Sequence, residues 1–236
     1  MSAVPIVAAA VVGGLIAVER KAFLQAQLSR PIVLGPLIGW ILGDPLGGLL
    51  VGAPLELIWI GAANLGAALP QHETAAAVAI VSSSVAAGTQ GSGVTGTLAC
   101  LAFLIFAPLA FVARRVERAG ERMNERALTR AERLLDDGDP DRAVRAHLAN
   151  VWRPFVAMGL LVGGAVVGGG PLLAWIARAV PPRLHLGFGI GWLLFWALGG
   201  AAAVQASRVR GGGWLAAAGA LVALAIGWFT SGGRLA

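Results

Sequence analysis

The sequence has no tyrosine, a single cysteine and three histidines, and it is poor in charge: Asp, Glu, Lys and Arg make up 13% of its 236 residues. Soluble globular domains carry about 25% charged residues, so this shortfall excludes a water-soluble enzyme, a disordered chain and a nucleic-acid-binding domain. The formal charge of +6 then reads as arginine enrichment of cytoplasmic loops rather than as an affinity for nucleic acid. Cys100 stands in the apolar run LACLAFLIF. With no second cysteine it forms no intrachain disulfide, and nothing beside it would activate a thiolate, so it reads as small hydrophobic filler. His72, His147 and His185 lie far apart with no metal-ligand spacing. Neither a phosphate-binding P-loop nor a nucleophile elbow is present, which argues against direct ATP use, hydrolytic catalysis or any cofactor.

What remains is abundant: 57% hydrophobic residues and 34 glycines, the composition of a polytopic membrane protein. About 20 apolar residues cross a bilayer as a helix, and shorter stretches broken by Gly or Pro suggest broken or re-entrant helices. On that ruler, residues 3–18 form a short first segment, and residues 31–43 are apolar but too short to cross comfortably. Segments follow near 46–69, 74–90, 93–113, 154–178, 184–206 and 212–230, the one at 93–113 being the most continuous. The expectation is an all-α, polytopic helical membrane protein with six or seven membrane segments plus a re-entrant piece. The charges of the first segment follow its apolar run at Glu19, Arg20 and Lys21, which marks a retained membrane segment rather than a signal peptide.

Residues 114–150 are a different material. Arg114, Arg118, Arg122, Arg126 and Arg130 repeat at four-residue steps, while Val116, Ala119, Met123, Ala127, Ala131 and Leu134 form another face. This predicts one or two amphipathic helices, broken near Asp136–Pro140. Such a stretch serves as a solvated connector or as a docking surface for a cytosolic partner or anionic lipid, and either role places it in the cytoplasm. The organisation that follows is an N-terminal membrane region at 1–113, a connector at 114–153 and a C-terminal membrane region at 154–236. Small-xxx-small patterns at Gly35/Gly39/Gly43, Gly48/Gly52, Gly159/Gly163, Gly164/Gly168 and Gly187/Gly191 predict close helix packing. Trp152, Trp175 and Trp214 fall near segment ends, where indoles favour the membrane interface.

Eight of the 12 acidic residues lie between Glu117 and Asp141; the other four are Glu19, Asp44, Glu56 and Glu73. A carboxylate kept inside apolar sequence is paired, wet or functional. In the same stretch stand Gln25, Gln27, Arg30, Asn64, Gln71 and His72, the amides and charged groups that a polar solute with many hydroxyls requires. Asp44, before Pro45, also fits a helix cap or turn residue. Arg30, before Pro31, fits a helix C-cap or an ion pair with Glu19 or Asp44.

The order Ser29-Arg30-Pro31, Gly35-Pro36-Leu37-Ile38-Gly39, Leu42-Gly43-Asp44, Leu55-Glu56-Leu57-Ile58-Trp59 and Asn64-Leu65-Gly66-Ala67-Ala68 resembles the IIC subunit of the mannose/fructose/sorbose family of the phosphoenolpyruvate-dependent sugar phosphotransferase system. The motifs are specific in combination, and the close resemblance covers residues 1–110. It implies a multi-pass permease subunit of the bacterial inner membrane. Such a subunit is non-catalytic and moves a hexose-like sugar by a rigid-body shift. It forms a hetero-oligomer with a IID membrane subunit, and cytosolic IIA and IIB proteins carry the phosphate. It also implies sugar contacts from Gln25 or Gln27 and from Asn64, while Glu56, in the LELIW-like motif, either holds the broken helices together or contacts sugar. His72 and Glu73 are further candidates by residue type, and Arg30 and Asp44 take structural or gating roles. The chain departs from the family pattern at Pro70-Gln71-His72-Glu73, where relatives carry a PPD- or APD-like turn. The Asp that often precedes the Gln is represented only by Glu19. These departures admit a transport-deficient regulatory or scaffold subunit of the same fold. An unrelated transporter would instead couple to ions through Glu56 or Asp44.

Overall fold

The computed structural model describes residues 3–22, 26–62, 73–91, 93–148 and 152–206, together with Trp214. Among these the chain is an all-α bundle: α1 (Ala3–Ala22), α2 (Pro31–Leu42), α3 (Pro45–Ala62), α4 (Glu73–Gly88), α5 (Gly96–Phe106), α6 (Leu109–Asp136), α7 (Pro140–Leu148), α8 (Trp152–Gly164), a π-helical turn (Ala165–Gly169), α9 (Gly170–Ala179) and α10 (Pro182–Ala206).

The N-terminal motifs fold into a tight hairpin. Pro31 opens α2 at a position where a missing N–H costs nothing. Gly43 closes it in the left-handed conformation at φ +96°, which a residue with a Cβ adopts only at a cost. The return helix α3 then lies against α2 along a seam of glycines. A methyl at Gly35 would meet the Gly48 carbonyl, one at Gly48 the Gly35 carbonyl, one at Gly39 the Asp44 carbonyl, and one at Gly52 the Pro31 carbonyl. The backbones therefore touch directly, as small-residue seams in membranes allow.

At the centre stands α4. Every residue from Thr74 to Gly88 is buried, packed by α2, α3, α5, α6, α8, α9 and the π-turn. A helix that is apolar and small-sided all round is a core helix, and the Ala and Ser content of α4 lets seven neighbours approach it. Ser83 donates its hydroxyl to the Ala165 carbonyl in the π-turn at 3.2 Å. The wide turn itself has a local cause. Pro171 begins α9 without an N–H and with a ring that would strike the carbonyl four residues back, and the π-turn moves the ladder so that Gly170 N–H reaches Ala165.

Among the described residues two helical stretches are long and apolar enough to cross a membrane, 152–179 and 182–201. The α5–α6 pair makes a third if counted as one span, bent by 44°. α2, α3, α4 and the apolar part of α1 are shorter apolar helices. The expected six or seven segments thus appear as a mixture of full spans and short helices, and the segment expected near 212–230 lies outside the described residues. The stretch at 93–113, read as the most continuous, is interrupted at Ala107-Pro108, where α5 ends and α6 begins. Pro108 lacks the N–H that would continue the ladder, and Ala110 and Phe111 bond only three residues back.

The Arg-rich insert forms α6 and α7, and the break falls at Asp137–Asp139 with Gly138 at φ +80°. The 28 residues of α6 are continuous with the membrane bundle, because the helix starts at Leu109 in apolar sequence and runs outward into the charged face. Not every glycine pattern is used for packing. Gly164, Gly168 and Gly187 face open space among the described residues, while Gly159 meets the Ala10 backbone of α1. Trp152, Trp175 and Trp214 are all exposed.

Candidate functional site

The polar residues embedded in the N-terminal motifs gather at the head of α2. Gln27 sits in the turn before the helix with φ +65°, a left-handed conformation that costs a non-glycine residue about 1–2 kcal/mol. The strain is held by two bonds: the Arg30 amide donates to the Gln27 carbonyl at 3.1 Å, and the Arg30 Nε–H donates to Gln27 Oε1 at 2.9 Å. Arg30 Nη1 in turn lies 3.6 Å from Glu56 Oε1. Glu56 comes from the far half of α3, brought back to the start of α2 by the antiparallel hairpin.

Glu56 faces the start of α2. The residue at the N-cap position is Arg30, whose side chain offers no cap, and a helix N-terminus carries unpaired amides and partial positive charge. The Glu56 carboxylate lies near the Ile32 amide in the first turn of α2, so a negative charge from α3 faces the positive end of that helix. Glu56 Oε2 is buried and has no hydrogen-bond partner among the described residues. A buried carboxylate oxygen left open is expensive, and it is a ready acceptor for a ligand hydroxyl. Glu73, at the start of α4, is near enough to Glu56 to repel its charge.

The structure thus brings together Gln27, Arg30 and Glu56, with Glu73 close by. It corrects one expectation: the ion-pair partner of Arg30 is Glu56, in place of Glu19 or Asp44, and Arg30 stands at a helix N-terminus instead of a C-terminus. The hairpin geometry explains both, since α3 runs antiparallel to α2 and returns Glu56 to the end of α2 where Arg30 lies. Asp44 stands at the other end of α2, about 18 Å away for twelve residues at 1.5 Å each. Its Oδ1 accepts from the Gly47 amide at 2.7 Å, capping α3. Its Oδ2 is 3.4 Å from the Val94 amide, which ties the hairpin turn to the loop before α5. Glu19, near the end of α1, is 5% exposed, and neither of its oxygens has a hydrogen-bond partner among the described residues. Gln25, Asn64 and His72 lie outside the described residues.

Three consecutive hydroxyls in α4 escaped the reading of the sequence. Ser82, Ser83 and Ser84 are fully buried, and the Oγ atoms of Ser82 and Ser84 have no hydrogen-bond partner among the described residues. The available signal was a run of three serines inside an apolar helix.

The comparisons with known proteins agree with this architecture. A putative N-acetylgalactosamine permease IIC component 2 of Escherichia coli K12 is 50% identical over 46 residues, 20% of this chain and 35% of that protein. The sorbose-specific EIIC component of Lacticaseibacillus casei is 46% identical over 44 residues, 19% of this chain and 16% of that protein. The mannose-specific EIIC component of E. coli K12 is 36% identical over 69 residues, 29% of this chain and 26% of its own length. The aligned parts thus span about a third or less of these relatives. Among solved structures, a membrane protein superposes with a TM-score of 0.68 at 20% identity, covering 98% of this chain and 93% of its own. The mannose transporter ManYZ, in complex with microcin E492, superposes at 0.60 and 19% identity, covering 100% and 89%. These two likenesses show the fold, a polytopic helical membrane protein. The model of the sorbose-specific IIC component of the phosphotransferase system matches residues 2–206, and the chain belongs to that family.

Proposed function

We propose that this chain is the sugar-binding, translocating membrane subunit of a mannose/fructose/sorbose-type phosphotransferase system. The observation that carries the proposal is the chain of groups Gln27, Arg30 and Glu56 at the head of the α2–α3 hairpin, running from the exposed turn before α2 to a buried carboxylate on α3. A sugar hydroxyl both donates and accepts. Glu56 Oε2 accepts from one hydroxyl, while the Arg30 guanidinium and the Gln27 amide donate to others. Gln25 and Asn64 are the further contacts that the family resemblance supplies, and His72 and Glu73 are candidates by residue type. The site receives a hexose-like sugar from outside, and the hairpin delivers it inward to a separate IIB protein. Phosphate is carried by IIA and IIB, and the chain acts as a non-catalytic permease subunit. A IID membrane subunit completes the translocating unit. The Arg-rich face of α6 and α7 sits on the cytoplasmic side of a bacterial inner membrane.

The test is sugar binding by the full chain co-purified with its IID partner. Glu56→Gln removes a charge-assisted acceptor, and affinity should fall about tenfold. Unchanged affinity in a folded variant removes Glu56 from the site. Incubated alone with phosphoenolpyruvate and sugar, the chain should form no sugar phosphate; product formed without IIB refutes the non-catalytic assignment. A second reading, a regulatory or scaffold subunit, draws support from the departure at Pro70-Gln71-His72-Glu73. It predicts no sugar binding by the complete complex.

A further inference from the structure

A cavity lies away from the hairpin, where the charged arm leaves the bundle. It encloses about 390 Å³ between α6 and α8, closed at its inner end by Ala17 of α1 and Ala75 of α4. Its walls change character along its depth. The inner part is Leu109, Val112, Met158 and Leu161; the outer part is Glu117, Glu121, Asn124 and Arg153. The transition from apolar to charged lining coincides with the point at which α6 passes from membrane sequence into its arginine-rich face.

Water does not fill such a space well, because an ordered water needs two to four polar partners, and the inner walls offer none. The mouth makes a specific demand. Arg153 Nη1 is buried without a hydrogen-bond partner among the described residues, and an unanswered guanidinium N–H is costly. Arg114, beside the cavity, is engaged through Nη1 with Glu117 at 3.1 Å and approaches Glu121 at 3.9 Å, while its Nε, like Arg153 Nη1, is buried without a hydrogen-bond partner among the described residues. What fits is an amphiphile with a long apolar tail and an anionic oxygen for Arg153. Its head should also tolerate two neighbouring carboxylates.

We propose that this cavity binds one zwitterionic membrane phospholipid, phosphatidylethanolamine, with an acyl chain between α6 and α8. The phosphate lies on Arg153 and the ammonium turns toward Glu117 and Glu121. The volume lies within the range of small-molecule sites, and the mouth, with carboxylates beside its arginines, disfavours a lipid of net negative charge. Seated there, the lipid fills the wedge between the first transmembrane half of α8 and the root of the arm, so the angle of α6 depends on a bilayer component.

The test is native mass spectrometry of the full chain with its membrane partner, delipidated and then offered 16:0–18:1 phosphatidylethanolamine or the corresponding phosphatidylglycerol. One phosphatidylethanolamine should be retained per chain, in preference to phosphatidylglycerol. Arg153→Gln should lower retention about tenfold. Ala157→Phe, which fills the cavity from an exposed position on α8 and leaves the charges in place, should abolish it. Unchanged gel-filtration elution of the variants confirms that they fold. Absence of retained lipid overturns the proposal, as does equal retention by both variants, a preference for phosphatidylglycerol, or a photo-crosslink from position 113 to a protein partner in place of lipid.

Discussion

Replacing Gly48 by alanine tests the central claim about the hairpin, that its helices meet backbone to backbone. The new methyl would strike the Gly35 carbonyl oxygen, with the Gly35 carbonyl carbon at 2.8 Å and the Gly39 Cα at 3.1 Å. None of these is the end of a flexible side chain, so the helices must separate. Overpacking of a tight interface costs about 1–3 kcal/mol, and rigid neighbours place this site at the upper end. Alanine is favoured over glycine in a helix by about 1 kcal/mol, so the net loss is about 2 kcal/mol. Gly187→Ala supplies the contrast: nothing among the described residues lies within 4 Å of its added methyl, so only the helix-propensity gain of about 1 kcal/mol remains. The two substitutions should therefore differ in sign.

The interlocking adds a sharper expectation. Gly35→Ala meets the Gly48 carbonyl from the other side, and a hairpin already opened for one methyl accommodates the second cheaply. The double variant should fall short of the sum of the single ones by about 1 kcal/mol. Equilibrium unfolding in mixed detergent micelles, followed by circular dichroism, measures the four variants against the parent. Equal stability of Gly48→Ala and Gly187→Ala would refute the close-contact seam, and strict additivity would refute the shared separation.

Gln27→Gly should leave stability within about 1 kcal/mol of the parent, since relief of the left-handed strain offsets the added freedom of the unfolded chain. Sugar affinity should nevertheless fall in equilibrium binding, because Arg30 loses its amide partner. Asp44→Ala should cost about 1–2 kcal/mol through the lost cap of α3, with Asp44→Asn recovering most of it in chemical unfolding. Ser83→Ala should cost about 1 kcal/mol by removing the hydroxyl that serves the π-turn, whereas Ser82→Ala and Ser84→Ala should be neutral or stabilising in the same assay.

What the sequence made legible depended on whether a local rule could decide it. The turn at Gly43-Asp44 and the break between α6 and α7 follow from residue chemistry within a few positions. The seam glycines of α2 and α3 were visible from spacing, yet the same spacing at Gly164 and Gly168 leads to open space among the described residues. Spacing defines a helix face and says nothing of what stands opposite. The Arg30 partner was out of reach for a related reason: Glu56 is delivered by the hairpin, and Asp44 and Glu19 were nearer along the chain. The bend at Pro108 was hidden because hydropathy continues unchanged through it. The buried α4 gave no periodic signal, since a helix covered on every side has no polar face to read.

The two findings on α2, its glycine seam and its ion pair with α3, bear on each other. Glu56 belongs to α3 but pairs with Arg30 at the N-terminus of α2, so the position of its open oxygen is set by the register of the two helices. A displacement of one turn, 5.4 Å, would carry Glu56 out of reach of Arg30. The seam prevents that displacement, because the carbonyls of Pro31, Gly35 and Asp44 rest directly against the facing glycines. Any motion that moves the proposed sugar site must therefore move α2 and α3 as one body, with the slip occurring where the hairpin meets α4 and α10. Substitutions that loosen the seam should weaken sugar binding without touching a sugar-facing group, and Gly48→Ala should do so in proportion to the stability it loses.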